Sequence, residues 1–319
     1  MSPSVLVTGA AGQIGTELVR VLRKKYGTEG VTATDKVVRP GSGPGTIVPL
    51  DVTDRASVER AFREHAIDTV YHLAAVLSAL GEENPDLAWD VNMKGLKNVL
   101  DSSAATGVRR LFWPSSIGVF GPDAPKMLAP QDAPLNPTTM YGVTKVAGEL
   151  LCRYYSLKHD LDVRSLRYPG LISSEAKPGG GTTDYAVEIF YSALKSRAYT
   201  CFLRQDTALP MMYMPDALRA TVQLMEADRS SVKLHGGYNL SAMSFTPAEL
   251  SSEIQKRIPG FSVAYAPDQR QKIADSWPMS IDDSAARRDW GWKPEYDLPS
   301  MAADMLARLG SRLQTQKDV

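Results

Sequence analysis

Apolar runs alternate with segments of helical periodicity along the first half of the chain. Runs rich in apolar and β-branched residues have the length of buried strands, and they lie at 4–8, 31–35, 46–50, 69–73, 110–113 and 163–168. Helical spacing of apolar residues follows four of these runs, at 18–22, 57–64, 85–105 and 139–158. Strands that alternate with helices form right-handed crossovers. The pattern therefore predicts an α/β fold with a doubly wound parallel sheet, whose ligands bind beyond the carboxyl ends of the strands.

Beyond Pro169 this alternation breaks down. The turn-rich segment 177–181 precedes a helical pattern at about 183–196, and the helix expected at 215–226 returns to the sheet. The remainder consists of short elements separated by five prolines. We interpret residues 1–172 and 212–241 as one large domain. Residues 173–211 and 242–319 are interpreted as a smaller C-terminal cap that binds substrate.

Three glycines follow the first strand at intervals of three residues. Gly9 permits a tight turn, Gly12 lets the backbone approach phosphates, and Gly15 lets helix and strand pack closely. Asp35 ends the second strand, where a carboxylate accepts both hydroxyls of an adenosine ribose and repels a 2′-phosphate. The larger domain is therefore predicted to be a Rossmann domain that binds NAD rather than NADP.

Charge and composition exclude several classes of function. Lys and Arg number 36, as do Asp and Glu, and no long basic run is present to bind nucleic acid. No apolar run reaches the roughly 18 residues of a membrane span, and a strand that starts by residue 4 leaves no room for a targeting peptide. The two cysteines and four histidines lack metal-ligand spacing. We expect a cytoplasmic protein without a metal, a nucleic-acid partner or a membrane anchor.

Tyr141 and Lys145 form a candidate catalytic pair. Their i, i+4 spacing places both side chains on one helix face, where the ammonium is expected to lower the phenol pKa from about 10 toward neutrality and make a general base. Tyr154 and Tyr191 are also followed by lysines at this spacing. Only Tyr141 stands at the start of a helix, after a proline-rich turn, so position selects it. Ser116 ends the fifth strand, where its hydroxyl can bond the reacting oxygen.

Together these motifs resemble the extended short-chain dehydrogenase/reductase family over essentially the whole chain. The matching segments are 8–15, 35, 51–52, 72–75, 91–95, 115–116, 141–145, 167–170 and 287–294. The resemblance implies Ser116, Tyr141 and Lys145 as the catalytic set, and a homodimer paired through the helices that begin near Pro85 and Tyr141. Asn92 would prop the catalytic helix. The cofactor-binding residues it implies are Gly9, Gly12, Gln13, Ile14, Gly15, Asp35, Asp51, Val52, Leu73, Ala74, Ala75, Asn92, Tyr141, Lys145, Tyr168 and Leu171.

Within that family, segments 76–82, 177–186 and 275–278 resemble the short-chain-type L-threonine 3-dehydrogenases. Pro169 stands where members that act on nucleotide sugars commonly have Asn, and a hydroxyl-rich helix start suits a single carboxylate better than a nucleotide. The resemblance implies NAD-dependent oxidation of the β-hydroxyl of an amino acid, L-threonine, to L-2-amino-3-oxobutanoate. The substrate-binding residues it implies are Ser78, Ser116, Tyr141, Thr182, Thr183 and Trp277.

Two other classes of function stay open at this stage. A nucleotide-sugar epimerase or dehydratase of the same family would keep NAD bound and turn over without net redox change. A dinucleotide-sensing protein without catalytic activity would typically lack the Tyr/Lys pair, so the intact Ser116, Tyr141 and Lys145 argue against it. Trp277 also has a simpler interpretation, as packing within the cap without ligand contact.

Overall fold

The computed structural model describes residues 4–38, 45–176 and 179–315. Lys177 and Pro178, at the start of the predicted turn-rich segment, lie outside the described residues. The strands, in chain order, are β1 Val5–Thr8, β2 Val31–Asp35, β3 Val48–Pro49, β4 Thr69–His72, β5 Arg110–Ser116, β6 Asp162–Tyr168, β7 Gly170–Ile172, β8 Ala198–Cys201, β9 Leu209–Tyr213, β10 Tyr238–Asn239, β11 Met243–Phe245 and β12 Ser262–Tyr265.

The helices begin with a capping residue or a proline at several places. Asp54 caps α2, Thr139 caps α6, and Thr246 forms a capping box with Glu249 at the start of α9. In chain order they are α1 Gln13–Tyr26, α2 Arg55–His65, α3 Ser78–Glu83, α4 Pro85–Trp89, α5 Leu96–Thr106, α6 Met140–His159, α7 Tyr185–Lys195, α8 Met214–Glu226, α9 Pro247–Gln255, α10 Arg270–Ser276, α11 Ser284–Trp290 and α12 Leu298–Thr315. A 3₁₀ turn covers Ile117–Val119.

Seven of the described strands form a parallel sheet in the order β10-β6-β5-β4-β1-β2-β3. The prediction of a doubly wound Rossmann-type α/β fold is confirmed. β1, β4 and β6 are buried along their whole length, which agrees with a sheet covered by helices on both faces. The sequence pattern missed β10, which is two residues long, and it overestimated β3, which is confined to Val48–Pro49.

The single helix predicted at 85–105 consists of three parts. α4 runs into a π-helical segment, Asp90–Gly95, which continues without a break into α5. A π-turn accommodates one extra residue within a helix and changes the direction of the side chains that follow. The buried Asn92 lies within this segment.

A second group of strands, which begins with β7, lies outside the main sheet. β11, β9 and β7 form a three-stranded sheet, and β12 pairs with β8. Phe190, Phe245 and Met305 belong to a hydrophobic cluster that joins α7, β11 and α12 and is separate from the clusters under the main sheet. This separate cluster supports the proposed cap, although the division at 172, 212 and 241 remains a prediction.

A buried ion pair joins α6 to the sheet. The Nε and Nη2 atoms of Arg167, on β6, each donate to the carboxylate of Glu149 at 2.8 Å, and the two side chains are 7% and 5% exposed. The hydroxyl of Ser115 donates to the same carboxylate at 2.6 Å. Because the guanidinium also reaches the Gln131 carbonyl, this pair connects three segments behind the site.

We expect Glu149→Ala to lower the free energy of unfolding by about 3–5 kcal/mol, because it leaves a buried guanidinium without its counter-charge. Glu59→Ala is the control, since it breaks an exposed pair with Arg55 and should cost less than about 1 kcal/mol. Urea unfolding followed by circular dichroism measures both. Equal, small losses for the two variants would show that the Arg167 guanidinium does not depend on Glu149 for its counter-charge.

Candidate active site

Tyr141 is the second residue of α6, at the carboxyl edge of the sheet. Thr139 fixes the start of this helix, since its Oγ1 accepts the N–H of Gly142 at 3.1 Å. The 3₁₀ turn lies against the tyrosine ring, and a Cβ placed on Gly118 would be 3.1 Å from two ring carbons. The absence of a side chain at 118 therefore lets the turn pack directly against the ring of Tyr141.

Lys145 lies one turn further along α6 and is 3% exposed. Its Nζ donates to the carbonyl of Pro114 at 2.6 Å and lies 4.6 Å from the centre of the Trp113 ring and 5.4 Å from that of Tyr141. Burial lowers the pKa of Lys145 to about 8. The carbonyl bond holds the ammonium beneath Tyr141.

Burial raises the pKa of Tyr141 to about 12, and the hydrogen bond from Ser116 acts in the opposite direction. The expectation that Lys145 lowers the pKa of Tyr141 toward neutrality was therefore wrong for the protein by itself, since that pKa is raised. The reason is physical: the phenol is removed from water, and the ammonium bonds a backbone carbonyl rather than the phenol. A phenolate at Tyr141 thus needs further positive charge or hydrogen bonding in the cleft.

The two adjacent serines at the end of β5 have different environments. Both serines line the cleft, but Ser115 donates to the carboxylate of Glu149, whereas Ser116 lies beside Tyr141. The Oγ of Ser116 accepts the N–H of Gly118 at 3.1 Å. Because the Ser116 oxygen acts as the acceptor in this bond, its hydroxyl proton is available for donation to Tyr141.

Tyr154 and Tyr191 do not share this environment. Tyr154 lies more than three turns along α6 and is 50% exposed, and Tyr191 is on α7 in the proposed cap. Neither lines the cavity that contains Tyr141. The positional argument that selected Tyr141 therefore agrees with the geometry.

A cavity of about 150 Å³ opens between the sheet edge and the cap. It brings together all the residues predicted to contact substrate, along with part of the predicted cofactor set. The predicted residues that line it are Gln13, Ile14, Leu73, Ala75, Ser78, Ser116, Tyr141, Lys145, Tyr168, Leu171, Thr182, Thr183 and Trp277. Gly170 admits Thr183 to this wall, because a Cβ there would be 2.7 Å from the Thr183 methyl group.

Asp184 is a cavity residue that the sequence analysis missed. Its Oδ2 accepts the N–H groups of Gly180 and Gly181 at 2.7 and 2.8 Å, and burial raises its pKa. The neighbouring Thr182 hydroxyl is buried and has no hydrogen-bond partner among the described residues. A run of glycines followed by Asp is a pattern that could have revealed this carboxylate.

A second cavity, of about 500 Å³, lies along the glycine turn on the same edge. The backbone packs tightly there: Gly9 has φ +68°, a Cβ on it would be 2.7 Å from the Ala74 nitrogen, and one on Gly15 would be 2.1 Å from the Gly9 carbonyl. Asp35 accepts the Ala11 N–H at 3.0 Å. The turn, the carboxylate and the open volume fit a dinucleotide. The predicted residues that line this cavity are Gly9, Gly12, Asp35, Asp51, Val52, Leu73, Ala74 and Ala75.

Two of the predicted cofactor residues lie behind these cavities. Gly15 packs against the Gly9 carbonyl, as its predicted role requires. Asn92 is 4% exposed and lines neither cavity. Its amide instead bonds the backbone of Val76 and the hydroxyl of Thr144, so its position fits a prop for α6 and not a cofactor contact.

Comparison with known proteins places this site in a family. The model of the NAD dependent epimerase/dehydratase family matches residues 5–241. An uncharacterized epimerase/dehydratase of Staphylococcus haemolyticus is 50% identical over 316 residues, which cover 98% of this chain and 99% of the relative. The chain therefore belongs to the NAD-dependent epimerase/dehydratase family, of the extended short-chain dehydrogenase/reductase type, and its cofactor is NAD.

Two solved structures are similar over almost the whole chain. The GalE-like L-threonine dehydrogenase from Cupriavidus necator in its holo form is 52% identical, with a TM-score of 0.94 and coverage of 96% of this chain and 100% of that one. A monomeric L-threonine 3-dehydrogenase from a metagenome is 51% identical, with a TM-score of 0.93 and coverage of 97% and 99%. Across the described ranges, no helix is long and apolar enough to cross a membrane.

We expect Tyr141→Phe to reduce the rate of NAD reduction by roughly 10²-fold or more, because it would remove the oxygen predicted to accept the substrate proton. NAD affinity should stay unchanged, since the ring remains. NADH absorbance with L-threonine and a fluorescence titration with NAD measure the two quantities. Tyr154→Phe and Tyr191→Phe are matched controls, and a benign Tyr141→Phe beside an inactive control variant would refute the assignment.

Proposed function

We propose that the protein is an NAD-dependent L-threonine 3-dehydrogenase that oxidises the β-hydroxyl of L-threonine to L-2-amino-3-oxobutanoate. One observation carries this proposal: Ser116 and Tyr141 share a cavity of about 150 Å³ with the hydroxyls of the glycine-rich loop. That small volume favours an amino acid over a nucleotide sugar. The similarity to threonine dehydrogenases along nearly the whole chain supports the same substrate.

The polar groups of the cavity match the two charged ends of an amino acid. The hydroxyls of Thr182 and Thr183 are donors for the substrate carboxylate, and Thr182 has no competing partner among the described residues. The buried carboxylate of Asp184 is an acceptor for the α-ammonium. Leu77 and Trp277 supply apolar surface for the substrate methyl group. The cavity therefore offers each part of threonine a complementary neighbour.

The chemistry is assigned to residues of the cavity wall. When substrate is bound, the single hydroxyl proton of Ser116 turns from Tyr141 to the substrate oxygen, and the Tyr141 phenolate accepts the proton of the β-hydroxyl. The positive charge of Lys145, 5.4 Å from the tyrosine ring centre, acts in favour of the phenolate, but burial of the phenol outweighs it in the protein alone. The residues of the second cavity, among them Gly9, Gly12 and Asp35, would hold NAD, which when bound would supply the hydride acceptor. Because burial raises the pKa of Tyr141, the fraction of active base and hence the rate should rise with pH up to about 8, above which Lys145 begins to lose the charge that favours the phenolate.

The stereochemistry and size of the substrate test this proposal. L-Threonine should be oxidised at least about tenfold faster than L-allo-threonine, because only one β-configuration directs hydrogen at the cofactor while its hydroxyl meets Tyr141. L-Serine should react poorly, because it lacks the methyl contact. Asp184→Asn should raise the KM for L-threonine by about tenfold or more, because it removes the charge that pairs with the ammonium.

NADH formation with the three amino acids, and with UDP-glucose as the competing substrate class, provides the measurement. Release of NADH with L-threonine and none with UDP-glucose is the expected result. Conversion of the nucleotide sugar without net NADH, together with no reaction of L-threonine, would replace the proposal with an epimerase or dehydratase activity.

A homodimer is part of the same proposal. An apolar stripe follows α6 and includes Leu150, Tyr154 and Leu157, which are 61%, 50% and 68% exposed, and Trp89 on the adjoining α4 is 49% exposed. Exposed apolar stripes of this kind mark interaction surfaces. A second copy of the chain would cover both helices by a two-fold arrangement.

We expect light scattering after size-exclusion chromatography to give twice the 34.8 kDa chain mass. Leu157→Glu should shift the protein to monomer, because a charge within the stripe would be desolvated in the dimer. Met127→Glu is the control, since Met127 is 63% exposed outside α4 and α6. A monomeric wild-type protein, like the metagenomic relative, would reject the dimer.

A further inference from the structure

The segment at 76–82 follows β4, includes most of α3 and forms one wall of the substrate cavity. It directs Leu77 and Ser78 into that cavity. Both ends of the segment are attached to α6, the helix that carries the proposed base. The distance between the substrate wall and Tyr141 is therefore set by two separate attachments.

The first attachment uses the buried side chain of Asn92. Its Oδ1 accepts the N–H of Val76 at 2.7 Å, and its Nδ2 donates to the carbonyl of Val76 and to the hydroxyl of Thr144, both at 3.1 Å. The Thr144 hydroxyl in turn donates to the carbonyl of Tyr141 at 2.8 Å. Val76 is thus joined through two side chains to the backbone of the base.

The second attachment is the carboxylate of Glu82. Its Oε1 accepts the N–H of Met140 at 2.6 Å, and Met140 is the residue directly before Tyr141. The adjoining Gly81 is buried, and a Cβ on it would be 3.9 Å from the Cβ of Tyr141 and 3.5 Å from that of Ala88. α3 therefore packs against the first turn of α6 at the point where Glu82 bonds it.

We propose that Glu82 is a positioning residue. By bonding the start of α6 it keeps Ser78, on the 76–82 wall of the substrate cavity, at the correct distance from Tyr141. The inference rests on the proposed function, since Ser78 and Tyr141 are taken to contact L-threonine. Ser78 lies between the two attachments, so loss of the Glu82 bond frees one end of the segment while Asn92 keeps the other. Substrate affinity depends on both ends, whereas the NAD cavity does not include Glu82.

Three variants test this role. Glu82→Ala should raise the KM for L-threonine by about tenfold, because the 76–82 segment is no longer held at α6. The change in kcat should be smaller, and the NAD dissociation constant should not change. Glu82→Gln should retain near-normal KM, because its amide oxygen still accepts the Met140 N–H. Glu83→Ala removes the neighbouring carboxylate of α3 and is the matched control. Melting temperatures are measured for all three.

A double-mutant cycle shows whether Glu82 acts through Ser78. Ser78→Ala should raise the KM less in the Glu82→Ala background than in the wild-type protein, because the hydroxyl is already misplaced. Full additivity would contradict coupling between these residues. A Glu82→Ala variant with a lower melting temperature but wild-type KM and kcat would reduce Glu82 to a helix cap and overturn the proposal.

Amide hydrogen exchange separates this inference from the proposed function. Peptides that cover 76–83 and 140–144 should exchange faster in Glu82→Ala and at the wild-type rate in Glu82→Gln. If the wild-type protein does not oxidise L-threonine, the proposed function fails, while the exchange result still decides whether the attachment exists. Identical exchange in all variants would overturn the attachment and with it the positioning role.

Discussion

The parallel alignment of the central strands is the constraint on which the candidate site depends. Thr8 pairs in register with His72, and Ser116 pairs with Tyr168, so four strands end at one edge of the sheet. Residues that are more than a hundred positions apart in the chain meet there because parallel strands point their carboxyl ends the same way. The glycine turn follows the first of these strands, and the serine hydroxyl ends the third.

Charged groups near this edge would be costly to bury alone, and each is held in place by a partner. Lys145 is held by the Pro114 carbonyl and the Trp113 ring, and Glu149 is held by Arg167. Such arrangements contribute little net stability, because desolvation offsets the attraction, but they leave few alternative positions for the side chains. The result is a cation at a fixed distance below Tyr141.

The sequence predicted what depends on local pattern. Strand and helix periodicity, the spacing of Gly9, Gly12 and Gly15, and the position of Tyr141 at a helix start could all be read from neighbouring residues. The direction of the Tyr141 pKa could not, because it depends on how completely the folded chain removes the phenol from water. The family resemblance implied that Asn92 supports α6, but apolar periodicity did not reveal the π-turn that places it there.

That π-turn fixes the relative rotation of two helices. An α-helix advances about 100° per residue, so the extra residue of a π-turn sets the faces of α4 and α5 out of phase by about this angle. In this phase Asn92 faces Thr144 while Trp89, three residues earlier, faces solvent. Deletion of one residue between 90 and 95 would restore a regular α-helix. Either Asn92 would then rotate away from Thr144 or Trp89 would rotate away from its present position. Surface loops generally tolerate deletions, whereas a deletion at this turn would cost the chain either the Asn92–Thr144 hydrogen bond beneath Tyr141 or the present direction of the apolar face of α4.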